Sequence, residues 1–292
     1  MKQLKNVLVT GASGGFGMVI IEALLQEGFT VTGAMREPKG RNKESAKTLE
    51  KKDVYVVDID VTNDKSVVEG VEKAAIKMGS IDVLINNAGL GAGGIQEGFT
   101  ADDWKKIFDV NVFGVQRMTR AVLPFMKKQS HGLLMLISSL NARLSVPFQG
   151  PYGPSKWAAE ALAESYRSEV SNLGIESCIV EPGAFPTKFV GSLMQPSEKE
   201  RSLDYGEIKN LPDILMASVE NVFKENPDQT VELLSNAIVE LIKMPHGERP
   251  IRTEVDMMFM GNLVAPLNQQ LEKANGKVYE TFQMDYLRKV KL

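Results

Sequence analysis

Val7-Leu8-Val9-Thr10-Gly11-Ala12-Ser13-Gly14-Gly15-Phe16-Gly17 carries a short apolar run straight into a glycine-rich turn, and a helical period follows from Phe16 to Gln26. Four of the seven residues from 11 to 17 are glycine. Glycine permits the tight turn and lets backbone N–H groups come close to an anion, and a helix start adds a favourable partial positive charge. The stretch therefore reads as a strand–turn–helix built around a phosphate. Its spacing, Gly11, Gly15 and Gly17, departs from the literal G-x-G-x-x-G fingerprint, so the turn alone does not decide the ligand.

The same alternation continues outward. Apolar runs at Thr30–Met35, Val54–Val57, Val83–Ile85, Leu133–Ile137 and Ser177–Val180 are separated by helical periods at Lys65–Met78, Asp102–Lys128 and Ser155–Asn172. Strands alternating with helices imply a parallel sheet covered on both faces, and right-handed crossovers make it doubly wound, a Rossmann-type α/β fold. Beyond Pro182-Gly183 the pattern changes. Residues 184–226 mix apolar and charged residues without a clear strand, and the expectation is an insertion over the carboxyl edge of the sheet, a lid. Asn226-Pro227-Asp228 then announces a helix over Thr230–Lys243, and Ile251–Val255 reads as a last strand. With no repeat and no linker, residues 1–292 read as one domain.

Composition narrows the class. A net charge of −3 with both signs dispersed points away from nucleic acid and from a membrane surface. The single cysteine, Cys178, sits in an apolar run and reads as a core residue. Two histidines, His131 and His246, are too few and too far apart for a His/Cys metal site, so no metal is expected. With no signal-peptide core and no membrane span, a cytoplasmic location is expected. Gly11-Ala12-Ser13-Gly14-Gly15 also matches the G-x-S-x-G elbow of hydrolases, but that chemistry needs a histidine downstream in the same site.

Tyr152-Gly153-Pro154-Ser155-Lys156 opens a helix and puts Tyr152 and Lys156 on one face. A phenol has a reference pKa of about 10, and a nearby ammonium favours the phenolate. A tyrosine so placed donates a proton to a nascent alkoxide and recovers it in reverse. Ser139, at the end of a buried strand, is placed to hydrogen-bond the substrate oxygen.

Thr10-Gly11-x-x-x-Gly15-x-Gly17, Asn86-Asn87-Ala88-Gly89, Asn111, Ser139, Tyr152-x-x-x-Lys156 and Pro182-Gly183 occur in this order. The set resembles the short-chain dehydrogenase/reductase family in its compact branch, from residue 4 to about residue 190. The resemblance implies Tyr152 as general acid/base, Lys156 as the group that lowers its pKa and binds the nicotinamide ribose, and Ser139 as the carbonyl anchor. It implies that Asn111 holds a water linking Lys156 to solvent. It assigns Gly11, Ser13, Gly14, Gly15, Phe16 and Gly17 to the phosphates and Asp60 with Val61 to the adenine. Asn87, Ala88 and Gly89 would line the cofactor, and Pro182, Gly183 and Thr187 the nicotinamide. Ile20 would pack behind the phosphate turn. A homodimer or homotetramer is expected, paired through the helices that hold Asn111 and Tyr152.

The cofactor expected is NADP(H) rather than NAD(H). A residue about 20 positions past the glycine turn meets the adenosine ribose. Here Gly33-Ala34-Met35-Arg36 places no acid at the strand end, and Arg36 offers a planar fork of donors to a 2′-phosphate. Glu37 is the complication, and Lys39, Arg41 and Lys43 read as a solvated basic loop. Arg143 reads as a solvated loop residue ahead of an anion clamp, Met257, Met258 and Met260 as core or interface filler, and Lys127 and Lys128 as helix-end cations. Phe185, Phe189, Leu193, Met194, Tyr205, Leu211, Ile214 and Leu215 lean the substrate towards an apolar or aromatic carbonyl or alcohol. The alternatives are a non-catalytic dinucleotide-binding regulator, and the same fold doing epimerase or dehydratase work. The intact set of Asn111, Ser139, Tyr152 and Lys156 argues against the regulator.

Overall fold

Alternate residues of the first strand supply two cores. In the computed structural model, which describes residues 4–187 and 189–291, β1 (Asn6–Thr10) turns Val7 and Val9 to one face and Leu8 to the other. All three are wholly buried, because helices cover both faces. The remaining strands are β2 (Thr30–Met35), β3 (Tyr55–Asp58), β4 (Val83–Asn86), β5 (Gly132–Ile137), β6 (Ile175–Pro182) and β7 (Arg252–Val255). All pairings are parallel, in the order β3-β2-β1-β4-β5-β6-β7. The sheet is the doubly wound Rossmann type, and its order reverses between β1 and β4, where a crevice opens at the strands' carboxyl ends.

On the face of Val7 and Val9 pack α1 (Phe16–Gln26), α2 (Lys43–Glu50) and α8 (Val231–Lys243). On the face of Leu8 pack α3 (Asp64–Met78), α5 (Gly114–Gln129) and α6 (Tyr152–Val170). Asn63 caps α3 by accepting from the Ser66 N–H, and Gly79 ends it in the left-handed conformation. The single helix expected over 102–128 is broken. It comprises α4 (Ala101–Phe108), a π turn at Asp109–Phe113 and α5. Such a turn inserts one residue into the helical ladder, and here it buries Asn111.

Cys178 is core, and burial pushes its thiol up to about 12. Ile20 is buried behind the glycine turn, and Lys127 and Lys128 lie in the last turn of α5. The insertion has no named strand among its described residues. It forms a 3-10 segment, Lys199–Asn210, and a helix, α7 (Leu211–Glu225). A long helix, α9 (Met260–Thr281), follows β7. No helix among the described residues is long and apolar enough to cross a membrane.

Candidate active site

The glycine turn is set by backbone demands. Gly11 and Gly15 have φ of 67° and 53°, in the region that side chains disfavour. Gly17 is required for a different reason: a Cβ there would lie 2.2 Å from the Gly11 carbonyl oxygen. It lets α1 close on the turn and does not line the cavity, unlike Gly11, Ser13, Gly14, Gly15 and Phe16. No side chain caps α1, which leaves its first turn open to an anion, although the Gly17 N–H already donates back to the Gly14 carbonyl at 3.1 Å. The Thr10 hydroxyl accepts from the N–H groups of Asn87 and Ala88, both at 3.0 Å, and the Asn87 amide donates to the Thr10 carbonyl at 2.9 Å. These bonds stitch β1 to β4 and set Asn87, Ala88 and Gly89 along the same cavity, about 710 Å³ in volume.

At the β2 end the cavity is lined by Arg36, Arg41, Asn42, Asp60 and Val61. Glu37 is not among the lining residues. Its N–H donates to Asp58 at 3.0 Å and its carboxylate pairs with Arg41 at 3.4 Å. Asn42 donates to the Arg36 carbonyl at 2.6 Å and ties the start of α2 to the β2 end. The basic stretch is thus partly a wall of the cavity rather than only a solvated loop. Burial alone would raise the Asp60 carboxyl, but hydrogen bonds from Thr62 and the positive field of Arg36 and Arg41 hold it below its ordinary value.

Ser139, Tyr152 and Lys156 all line this cavity. Lys156 donates to the Ile137 carbonyl at 2.8 Å, and its ammonium stands 5.8 Å from the Tyr152 ring centre. Burial pushes the Tyr152 phenol up to about 12, against the lowering effect of a hydrogen bond with Ser139. Burial also pushes Lys156 down to about 8, opposed by the charge of Glu160. Asn111 lies behind the cavity wall. Its amide donates to the Leu90 carbonyl and the Ser155 hydroxyl, both at 2.9 Å, and its oxygen accepts from the Leu90 N–H at 2.8 Å. Its side chain braces the 87–90 turn against α6.

Pro182, Gly183, Phe185, Thr187 and Phe189 close the cavity from β6, and Leu193, Leu215, Val219, Val222 and Phe223 roof it. Ile214 and Leu211 face solvent, and Met194 packs under Phe99 and Tyr152 instead. Met258 and Met260 line the cavity, contrary to the filler role expected of them, whereas Met257 is exposed. The hydrolase reading fails on geometry. His131 pairs with Asp82 at the start of β4, and His246 with Glu176 at the start of β6, the opposite end of the sheet from Ser13.

A family model described as short chain dehydrogenase matches residues 5–198. The chain belongs to the short-chain dehydrogenase family. It is 40% identical over 187 residues to 3-ketodihydrosphingosine reductase of Bacteroides thetaiotaomicron. That match spans 64% of this chain and 66% of the relative, just under two thirds of its length. Retinol dehydrogenase 8 of Bos taurus is 30% identical over 245 residues, covering 82% of this chain and 78% of that one. An alcohol dehydrogenase from the archaeon Thermococcus sibiricus, complexed with 5-hydroxy-NADP, superposes with a TM-score of 0.65 at 26% identity, over 86% of this chain and 95% of its own.

In this short-chain dehydrogenase, Arg143 is neither a solvated loop residue nor an anion clamp. It lies behind the site with its side chain only 9% exposed and pairs with Glu160, while its Nε donates to Asn268 at 2.9 Å. Arg252 approaches the same Glu160 oxygen at 3.0 Å, and the Ser138 hydroxyl donates to the other at 2.5 Å. Glu181 completes the cluster, 3.5 Å from Arg143 and 3.6 Å from Arg252. Burial, and then the charge of Glu160, hold its carboxyl well above the ordinary range. Sequence reading missed this cluster, and also missed Asn42, Asn141 and Gln149 in the cavity wall. Polar residues in loops carry no periodic signal to betray which way they face.

Proposed function

We propose that this chain is an NADP(H)-dependent oxidoreductase that interconverts an apolar ketone or aldehyde and the corresponding alcohol. The observation that carries the reading is the convergence of Ser139, Tyr152 and Lys156 on one cavity whose other end is the glycine turn. The glycine turn would hold the diphosphate of a dinucleotide, Val61 and Ala88 its adenine side, and Arg36 with Arg41 a 2′-phosphate; bound nicotinamide would supply or accept the hydride. Ser139 and the Tyr152 hydroxyl hold the carbonyl oxygen, and Tyr152 gives its proton to the forming alkoxide. Lys156 binds the ribose and, with the charge of an oxidised nicotinamide beside it, brings the phenol down from its free value in the alcohol-oxidising direction. Asn111 fixes the 87–90 turn and the start of α6. Residues 184–226 act as a lid of the single domain 1–292, and two or four copies assemble.

The retinol and ketosphingosine names of the relatives, together with the apolar roof, support an apolar substrate. The test is Tyr152→Phe. Turnover of NADPH with an apolar ketone should fall about 10²–10⁴-fold, while the NADPH dissociation constant, read from cofactor fluorescence, changes less than about twofold. Retained turnover would remove Tyr152 from the acid/base role.

A further inference from the structure

A second hollow, about 700 Å³, lies beside the catalytic cavity on the outer side of the loop joining β5 to α6. Asn141, Val146 and Gln149 line both spaces and form the rim between them. The far wall is Trp157 from the first turns of α6, with Tyr205 and Ile208 from the 3-10 segment of the insertion. No charged side chain lines the hollow among the described residues. Tyr205 donates its hydroxyl to Glu97 at 2.9 Å, which fixes its ring at the rim. Trp157, Tyr205 and Ile208 are 47%, 38% and 48% exposed, a cluster of large apolar groups left facing water.

The catalytic cavity explains why such a hollow is useful. Its lining runs from the glycine turn and Arg36 to Phe223 and Met260, so one space of about 710 Å³ must admit a dinucleotide and the substrate together. Ligand pockets span about 300–1,000 Å³ for a single ligand. What is left beside the cofactor suits the reacting end of a substrate, not a long tail.

We propose that the Trp157–Tyr205–Ile208 hollow binds the uncharged hydrocarbon tail of the substrate, which crosses the Val146–Gln149 rim while its carbonyl end lies at Ser139 and Tyr152. The substrate class is then a neutral ketone or secondary alcohol on a long hydrocarbon chain. This rests on the proposed oxidoreductase reading. Full burial of a methylene is worth about fourfold in affinity, and a hollow open on one side, gaining half that energy, about twofold.

Trp157 is its own reporter. Trp104, the other tryptophan, stacks on Phe108, and Trp104→Phe leaves Trp157 as the sole emitter. A long-chain fatty alcohol brominated along its chain, kept below its micelle concentration, should quench Trp157 saturably, and a short brominated alcohol should not. In parallel, kcat/KM for a series of unbranched methyl ketones should rise about twofold per added methylene. Ile208→Asp should flatten that rise and leave the shortest ketone unchanged. Quenching without any ketone reduction would sink the oxidoreductase reading and uphold the hollow. Reduction that ignores chain length, with no quenching, would overturn the hollow alone. Emission that shifts with protein concentration and ignores the alcohol would overturn it too, assigning the face to a second copy.

Discussion

Arg36→Ala should erase most of the preference for NADPH. Arg36 follows directly on β2, is half-buried and lines the cavity with Arg41; Glu37 is held outside the lining by Arg41, and the Asp60 carboxylate, which does line it, sits in the field of both arginines. A charge-assisted hydrogen bond from a guanidinium to a phosphate contributes about 1.5–3 kcal/mol. Partial exposure places Arg36 in the lower half of that range, about 2 kcal/mol, which is about 30-fold in kcat/KM for NADPH. NADH has no 2′-phosphate and should lose less than about threefold. Arg41, half exposed and shared with Glu37 at 3.4 Å, should contribute at most about 1 kcal/mol, or about fivefold. Glu37→Gln frees Arg41 and should raise NADPH affinity slightly, most clearly at low ionic strength. The assay is kcat/KM for both cofactors at a saturating carbonyl concentration, in wild type, Arg36→Ala, Arg41→Ala and Glu37→Gln. A wild type that prefers NADH, or an Arg36→Ala variant that loses both cofactors equally, would refute the assignment.

If Lys156 binds the cofactor as a cation, as proposed, binding must raise its pKa above the free value of about 8. The affinity it adds is present below about pH 8 and lost as pH rises through the bound-state pKa. Titrations of NADPH across pH should show that loss in wild type and not in Lys156→Met. Arg143→Ala should lower stability to urea by about 3 kcal/mol, because it leaves buried Glu160 and Glu181 to share the one guanidinium of Arg252; a loss below about 1 kcal/mol would show the cluster is not charge-balanced by Arg143. The raised Glu181 carboxyl contributes stability that is full below the ordinary glutamate pKa and lost as pH rises towards its raised value. Glu181→Gln should flatten the fall in unfolding free energy over that window, and an unchanged slope would refute the shift. None of the described residues of α7 is fully buried, so its amides should exchange fast in the free protein and slow with NADPH and substrate bound; strong protection in both states would rule out a lid.

The sheet was legible because parallel strands buried on both faces must be apolar throughout, and Val7–Val9, Val83–Ile85 and Leu133–Ile137 are. Tyr152, Lys156 and Ser139 were legible because their separations follow from one helix face and one strand end. The π turn at Asp109–Phe113 was not. It adds a single residue to an otherwise helical period, with no proline or glycine inside it to mark the break. α2 was hidden because its buried side chains are only Ala46 and Leu49, set within a charged run. Arg143 was misread for a simpler reason. Its partners Glu160 and Asn268 lie 17 and 125 residues away in sequence, and burial of a charge is decided by partners that only the fold brings together.

That last contact bears on how a variable tail serves a family site. The family match ends at residue 198, yet Asn268 of α9 donates to Glu181 of β6 and, at 2.6 Å, to Glu254 of β7, while accepting from Arg143. Arg252 of β7 reaches Glu160 on α6, two turns beyond Tyr152 and one beyond Lys156. Glu160 in turn holds Ser138, the neighbour of Ser139. The tail is therefore joined to the reacting strand ends by directional, charged bonds rather than by apolar contact alone. Replacing such a cluster with hydrocarbon often costs little stability, so its use lies in register. A sliding apolar interface would allow α9 and β7 several positions against β6. The cluster favours the one that sets Met258 and Met260 in the wall of the cavity that Tyr152 also lines.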